Sequence, residues 1–314
     1  MRETTADKVV VTGGAGFIGS AVVRAFLERG AEVVVVDRNP APFDDPRVSA
    51  IEGDLTDPAV RAAAVTPGVT GVVHCAAITS VLKTVEMPAE TYTENVEVTA
   101  GLLELCRQHQ VPRFLLASTN AVVGDVGTGT ITPDLPLMPL TPYGATKAAA
   151  EMLMSGYAGS YGIATAALRF TNVYGPGMGH KDSFIPRLMK AALSGDTVRI
   201  YGTGEQVRDL VYLDDVVNGV LLAWDAQYTG RVILGSGSSV SVLDMIDTVR
   251  QVTGAELPAE HVEAPKGEMP AVVVDVSGSD RAIGYRPATT LADGLAQVWT
   301  DFQRAAAAAD TATP

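Results

Sequence analysis

The chain has 314 residues, of which 47% are hydrophobic, so it can bury a large core and is not disordered as a whole. Its 36 acidic and 23 basic side chains give a net charge of -13, which excludes a broad basic surface for nucleic acid. The two cysteines are too few for a disulfide framework and lack metal-ligand spacing, so no metal site is predicted.

The chain opens on a polar segment. Residues 1–8 mix charged and polar side chains and lack the apolar stretch of a secretory signal. The longest apolar runs have the length of strands, not of membrane spans. We therefore expect no membrane partner and take the cytoplasm as the default location.

Short β-branched runs then alternate with longer amphipathic segments. Strands are predicted at residues 8–12, 32–37, 69–74 and 114–118, with helices between them. This alternation is typical of an α/β fold with a doubly wound parallel sheet. Beyond residue 170, clusters of Pro and Gly separate shorter elements and predict a smaller α/β substrate lobe. We place the sheet domain at 1–170, with some later segments returning to it, the second lobe mainly at 171–305, and a disordered tail at 306–314.

A glycine-rich turn, TGGAGFIG at residues 12–19, follows the first predicted strand and opens a helical pattern. Such glycines tighten the turn, admit a pyrophosphate close to the backbone and aim the helix N-terminus at negative charge. Asp37 ends the next predicted strand, where its carboxylate can accept from the adenosine ribose and repel a 2'-phosphate. The pattern predicts a Rossmann-type site that prefers NAD to NADP. Arg38 leaves NADP open, because a guanidinium beside the ribose can hold the extra phosphate.

The Gly-x-x-Gly-x-x-Gly spacing of Gly13, Gly16 and Gly19 resembles the short-chain dehydrogenase/reductase superfamily. The chain length resembles its extended branch, the NAD-dependent nucleotide-sugar epimerases and dehydratases, and the resemblance covers nearly the whole chain. It implies a nucleotide-diphosphate sugar as substrate, with UDP-sugars first, and a homodimer. The apolar faces of the helical segments at 96–105 and from 148 onward could form the dimer, or they could be buried within one protomer. The resemblance also implies further cofactor-binding residues: Phe17, Ile18, Asp37, Arg38, Asp54, Leu55, Ala76, Ala77 and Asn95. Within that set, Asp54 would accept from the adenine amine and Asn95 would prop the active site.

Tyr143 and Lys147 stand four residues apart in a segment of strong helix formers, so both side chains project from one helical face. A nearby ammonium, together with the positive nicotinamide of bound NAD, favours the phenolate of a tyrosine, which makes the pair suited to moving a hydroxyl proton. The resemblance implies that both residues also contact the cofactor. It adds Thr119, at the end of the strand at 114–118, as the hydroxyl that binds the reacting sugar oxygen, with Ser118 as the alternative.

The residues after Thr119 separate reaction types. The dehydratases that this chain resembles carry an Asp-Glu pair there, since elimination of water needs an acid and a base beyond the tyrosine, and the decarboxylases carry a Glu. Asn120 and Ala121 supply neither. The sequence therefore favours an NAD-dependent nucleotide-sugar 4-epimerase of the UDP-hexose or UDP-hexuronate type, acting through a transient 4-keto sugar. A 4-keto reductase or sugar dehydrogenase is the alternative, followed by a non-catalytic nucleotide-binding protein.

The resemblance also implies the substrate-binding residues. Asn172 and Arg208 would contact the diphosphate, with Arg187 as a second candidate, and Glu268 would contact the nucleoside ribose. Thr79 and Ser80 would touch sugar hydroxyls or act as helix caps, and Thr119 and Asn120 would lie at the sugar. Lys83 and Arg187 remain candidates for the carboxylate of a uronic acid.

Overall fold

The computed structural model describes residues 6–263 and 271–312. Strands β1 to β14 span, in order, Lys8–Thr12, Glu32–Asp37, Val48–Glu52, Gly71–His74, Arg113–Thr119, Thr130–Ile131, Ala164–Phe170, Asn172–Tyr174, Val198–Tyr201, Val207–Tyr212, Gly230–Leu234, Ser239–Ser241, Ala259–Val262 and Val273–Val274. Helices α1 to α11 span Phe17–Glu28, Pro58–Ala64, Val81–Glu86, Pro88–Tyr92, Val98–Gln108, Pro142–Tyr161, Phe184–Ser194, Leu213–Asp225, Val242–Thr253, Ser277–Ile283 and Leu291–Ala312. A π-helical turn at Thr93–Glu97 joins α4 to α5, and a 3-10 turn at Asn120–Val122 follows β5.

Seven parallel strands form the central sheet in the order β11-β7-β5-β4-β1-β2-β3. From β1 the chain passes through α1 to β2 on one side, whereas β4 pairs with β1 on the other side. This reversal of strand order creates a crevice outside the carboxyl ends of the strands, where α/β proteins bind ligands. The valines of β1 and β2 are buried because both faces of the sheet are covered by helices. The predicted Rossmann-type α/β fold is confirmed.

Smaller sheets form the second lobe. Strands β8, β10 and β12 make a three-stranded sheet, while β9 pairs with β13 and β6 pairs with β14. Thr171 alone separates β7 from β8, so the chain leaves the central sheet there, and it returns later with β11. One hydrophobic cluster runs from β1 and α1 to α7, α9 and α11, so the second lobe shares a core with the central sheet.

The last helix, α11, continues to Ala312. It therefore includes most of the segment 306–314 that we expected to be disordered, and residues 313–314 lie outside the described part. The run of five alanines from Ala305 explains the difference, because alanine has the highest intrinsic helix propensity. Within 6–263 and 271–312, none of the helices has the length and apolar character needed to span a bilayer.

Candidate functional site

A cleft of about 1380 Å³ lies at the carboxyl ends of the central strands and extends to the second lobe. Pockets for one drug-sized ligand enclose about 300–1,000 Å³, so this cleft has room for two ligands side by side. Most residues expected at the site line it: Gly13, Gly16, Phe17, Ile18, Gly19, Asp37, Arg38, Leu55, Ala76, Ala77, Thr79, Ser80, Thr119, Asn120, Tyr143, Lys147, Asn172, Arg187 and Arg208. Glu268 lies outside the described residues.

The glycine turn after β1 forms one end of the cleft. Gly13 has a φ of +67°, and a Cβ there would lie 2.8 Å from the backbone nitrogen of Ala76, so the position requires glycine. Gly16 is the N-cap of α1, and within the described part of the chain no side chain caps the first amides of that helix. These amides and the helix dipole therefore suit a negatively charged group such as a pyrophosphate.

The carboxylate of Asp37 is fixed beside this turn. One oxygen accepts from the backbone nitrogen of Ala15 at 3.1 Å, and the other accepts from that of Asn39 at 2.9 Å. The Oδ1 atom also accepts from the side-chain amide of Asn39 at 3.3 Å, so Oδ2 is the oxygen with a further lone pair for a ribose hydroxyl. The geometry thus fits the adenosine half of NAD at this end of the cleft.

Two residues expected to bind the cofactor do not line the cleft. Asp54 accepts from the backbone and hydroxyl of Thr56 and forms an ion pair with Arg38, while its neighbours Gly53 and Leu55 line the cleft. Its carboxylate is therefore held by protein groups, not turned toward an adenine.

Asn95 is 1% exposed and lies behind the cleft wall. Its amide accepts from the backbone nitrogen of Ile78 at 2.9 Å and donates to the Ile78 carbonyl and the Thr146 hydroxyl, both at 3.1 Å. The side chain thus ties the loop after β4 to α6. This arrangement agrees with the expected propping role and not with direct contact to a cofactor, because both polar atoms of the amide are already engaged.

Helix α6 presents Tyr143 and Lys147 to the cleft. The Thr141 hydroxyl accepts from the backbone nitrogen of Gly144 at 3.2 Å and caps the helix, with Pro142 at its first position. Tyr143 hydrogen-bonds the side chain of Thr119, and Lys147 is only 2% exposed. Ser118, the alternative to Thr119, donates instead to the buried Glu151 at 2.6 Å. The structure thus brings Thr119, Tyr143 and Lys147 together at one wall of the cleft.

Burial controls the protonation of this pair. It raises the pKa of Tyr143 to about 12, against the opposing effect of the hydrogen bond with Thr119. It lowers the pKa of Lys147 to about 8, although Cys75 and Glu151 act in the opposite direction. The expected stabilisation of the phenolate depends on the nicotinamide of bound NAD as well as on the ammonium, because the cost of burying a charge dominates when the protein groups act alone. At neutral pH the phenol keeps its proton.

A buried ion-pair network lies behind this wall of the cleft and was not predicted from the sequence. Glu151 lies one helical turn beyond Lys147 and accepts from Ser118 and from two nitrogens of Arg169, at 2.7 and 3.0 Å. Arg231 adds an ion pair at 3.2 Å. The network joins α6 to β5, β7 and β11 and so fixes the helix of Tyr143 against the strand of Thr119. The spacing of 143, 147 and 151 on one helical face was the only local signal for it.

Next to Thr119 in the cleft wall, Asn120 is 7% exposed, and neither polar atom of its amide has a hydrogen-bond partner in the described protein. The Thr171 hydroxyl also lines the cleft, and it likewise has no hydrogen-bond partner in the described protein. A buried polar group without a partner costs about 1–3 kcal/mol. These groups therefore point to a polar ligand, and Thr171 was missed because it carries no motif.

Four of the remaining expected substrate residues have protein partners as well as cleft contacts, whereas Thr79 is placed only in the cleft lining. Asn172 donates to the carbonyl of Asp209, Arg208 donates to that of Val207, and the Ser80 hydroxyl caps α3. Arg187 pairs with Asp182 at 2.7 Å and is half-exposed. Three further cationic side chains line the cleft, namely Lys83, Lys181 and Arg199. Lys181 and Arg199 were not predicted from the sequence. They bring positive charge into a strongly acidic protein.

Comparison with known proteins identifies the family to which this chain belongs. Residues 9–234 match the model of the NAD dependent epimerase/dehydratase family. The chain is 31% identical over 306 residues to a UDP-glucose 4-epimerase of Corynebacterium glutamicum, covering 90% of this chain and 92% of the relative. It is 34% identical over 303 residues to a dTDP-glucose 4,6-dehydratase of Streptomyces griseus, covering 92% of both. The solved structure of MoeE5 in complex with UDP-glucuronic acid and NAD superimposes with a TM-score of 0.86 at 35% identity, covering 95% of this chain and 99% of that one.

Proposed function

Because the chain belongs to the NAD-dependent epimerase/dehydratase family, we propose that it is a nucleotide-sugar 4-epimerase acting on a UDP-hexose or UDP-hexuronate. As a member of that family it depends on NAD. The observation that carries the proposal is the group of Thr119, Tyr143 and Lys147 in the cleft, followed along the chain by Asn120 and Ala121.

The proposed reaction uses one hydride and one proton. NAD, when bound, would supply a hydride acceptor for C4 of the sugar and a positive nicotinamide that favours the phenolate of Tyr143. Thr119 holds the C4 hydroxyl oxygen, and Tyr143 takes its proton as the C4–H bond breaks. Lys147, as an ammonium, stabilises the phenolate. After the 4-keto sugar has turned, hydride would return to the opposite face of C4 and Tyr143 would return the proton to the C4 oxygen, so no net NADH would form.

A dehydratase reaction fits the cleft less well. Elimination of water needs an acid and a base beyond the tyrosine, and Asn120 and Ala121 offer an amide and a methyl group. Among the described lining residues the carboxylates are Asp37, Glu94 and Asp182. Asp37 lies beside the glycine turn, at the proposed ribose end of the cleft. Glu94 forms an ion pair with Arg38, and Asp182 forms one with Arg187. This distribution supports the epimerase over the activity named for the Streptomyces griseus relative.

Recognition of the sugar nucleotide is proposed for the second-lobe side of the cleft. Asn120 and Thr171 would hydrogen-bond polar groups of the sugar, which would remove the cost of leaving them unpartnered. Asn172, Arg187 and Arg208 would meet the diphosphate, since a planar guanidinium can bind two phosphate oxygens. The UDP-sugars named for the Corynebacterium relative and for the MoeE5 complex support uridine as the base.

We also propose a homodimer formed mainly through α6. Met152 and Tyr161 of this helix are 45% and 54% exposed. The apolar residues of the segment 96–105, by contrast, are largely used within one protomer, where Val96, Leu102 and Leu103 are buried. The exposed side of α6 is therefore the better candidate for pairing.

The test is to incubate the purified protein with UDP-, TDP- and GDP-sugars without added cofactor and to follow the anomeric signals by NMR. We expect interconversion of 4-epimers of a UDP-sugar without accumulation of NADH, and none with the Tyr143→Phe variant. Conversion only with stoichiometric NAD or NADH would establish the dehydrogenase or reductase instead. A product that has lost water would establish a dehydratase.

A further inference from the structure

Arg38 follows Asp37 at the end of β2 and lines the cofactor end of the cleft. A guanidinium in this place is the group that would bind the 2'-phosphate of NADP, by a two-pronged charged hydrogen bond. The protein nevertheless belongs to an NAD-dependent family. The surroundings of Arg38 account for this apparent conflict.

Two carboxylates hold the guanidinium. The Nη2 atom of Arg38 lies 3.0 Å from the Oδ2 atom of Asp54 and contacts the Oε1 atom of Glu94. Hydrogen bonds with Asp54 and then with Glu94 raise the pKa of Arg38. Glu94, in the π-helical turn between α4 and α5, has a side chain only 14% exposed, against 46% for Asp54. Its interaction with Arg38 is therefore the less screened of the two.

The charge around this position is unfavourable for a further anion. Asp37, Asp54 and Glu94 contribute three negative charges and Arg38 one positive charge. A 2'-phosphate is close to a dianion at neutral pH, so it would be repelled by the carboxylates and would have to compete with them for the guanidinium. A ribose hydroxyl carries no charge and needs only the acceptor that Asp37 supplies.

We propose that Glu94, supported by Asp54, is a cofactor-specificity residue that engages Arg38 and so rejects NADP. Glu94 acts through Arg38 and not on the sugar, and the inference depends on the proposed function only for the cofactor site. With its guanidinium engaged in this way, Arg38 can lie beside the ribose in a protein that prefers NAD to NADP.

The experiment equilibrates purified protein with equal concentrations of NAD and NADP, releases the bound nucleotides and measures their ratio by chromatography. Glu94→Gln should raise the bound NADP:NAD ratio about tenfold, since one unit of charge is removed near a dianion and the guanidinium loses one of the two carboxylates that hold it. Asp54→Asn should shift the ratio in the same direction by a smaller factor. Glu97→Gln, which removes the same charge from an exposed position three residues further along, serves as the control.

Arg38 decides between the proposed mechanism and simple loss of negative charge. In the double variant Glu94→Gln with Arg38→Ala, most of the gain in NADP should disappear. A ratio that stays within about twofold of the wild-type value in both Glu94→Gln and Asp54→Asn would overturn the proposal, and so would an undiminished gain in the double variant. Because the measurement involves no sugar, failure of the epimerase assay would leave its result unaffected.

Discussion

Replacing Glu151 by glutamine removes a buried negative charge and leaves the shape of the side chain nearly unchanged. The Glu151 carboxylate is 1% exposed, and the side chain of its main partner, Arg169, is 0% exposed. Breaking a buried pair by removing one partner leaves an uncompensated charge and costs about 3–5 kcal/mol. The glutamine oxygen can still accept one of the former hydrogen bonds, so we expect a loss in unfolding free energy of about 3 kcal/mol.

Glu104→Gln is the matched control. Glu104 also pairs with an arginine, Arg107, at 2.7 Å, but the two side chains are 38% and 40% exposed. Such surface pairs contribute about 0–1 kcal/mol. Both variants would be unfolded in urea at one fixed NAD concentration and followed by circular dichroism, because bound ligand itself changes the apparent stability. Equal losses in the two variants would refute the assignment of Glu151 as the centre of a buried network.

The same substitution has a second readout in the active site. Burial lowers the pKa of Lys147 to about 8, and the negative charge of Glu151 opposes this shift. Removing that charge should lower the pKa of Lys147 further. If protonated Lys147 supports turnover, the loss of activity at alkaline pH should begin at lower pH in Glu151→Gln than in the wild type. An unchanged pH profile would show that Glu151 supports the fold without influencing Lys147.

Tyr143→Phe should lower turnover by about 10²- to 10⁴-fold while NAD binding, measured by calorimetry, stays near normal; full activity would show that another group moves the proton. Asp37→Ala should weaken binding of NAD more than binding of NADP, and the reverse result would mean that Arg38 governs the choice without restraint. Asn120→Ala should raise KM for the nucleotide sugar without lowering the unfolding free energy by more than about 1 kcal/mol, because its amide has no partner in the described protein; a large loss of stability at unchanged KM would contradict its assignment to the substrate. Burial lowers the pKa of His74 to about 3 from 6.5, so between these values the unfolded chain binds a proton that the folded protein does not. Stability attributable to His74 should therefore fall with decreasing pH by about 1.4 kcal/mol per unit across that window, and His74→Gln should show a shallower dependence in denaturant titrations at several pH values.

The features that could be predicted from the sequence are those encoded over a few neighbouring residues. The glycine turn, Asp37 at the end of the second strand, and the Tyr143–Lys147 spacing all depend on local periodicity, and the structure places each of them in the cleft. The order of the elements was sufficient to predict the parallel sheet. These local patterns can be interpreted without any knowledge of long-range packing.

The features that could not be predicted depend on residues far apart in the chain. Glu151 meets Arg169 and Arg231 only once α6 packs on β7 and β11. The two hydrogen-bonding groups of Asn95 are taken by Ile78 and Thr146, so a residue expected at the cofactor becomes an internal tie. The effect of burial on the pKa values of Tyr143 and Lys147 could not be predicted either, because desolvation depends on the whole surrounding fold.

The late return of β11 to the central sheet affects how the protein can be made. This strand pairs with β7 only after the chain has built α7, β9, β10 and α8 of the intervening region. During synthesis, residues 1–170 therefore emerge with β7 as an open edge whose backbone donors and acceptors can bind a strand from another chain. A fragment ending near residue 170 should aggregate unless β11 is supplied, so the boundary between the lobes is unsuitable as a cloning boundary.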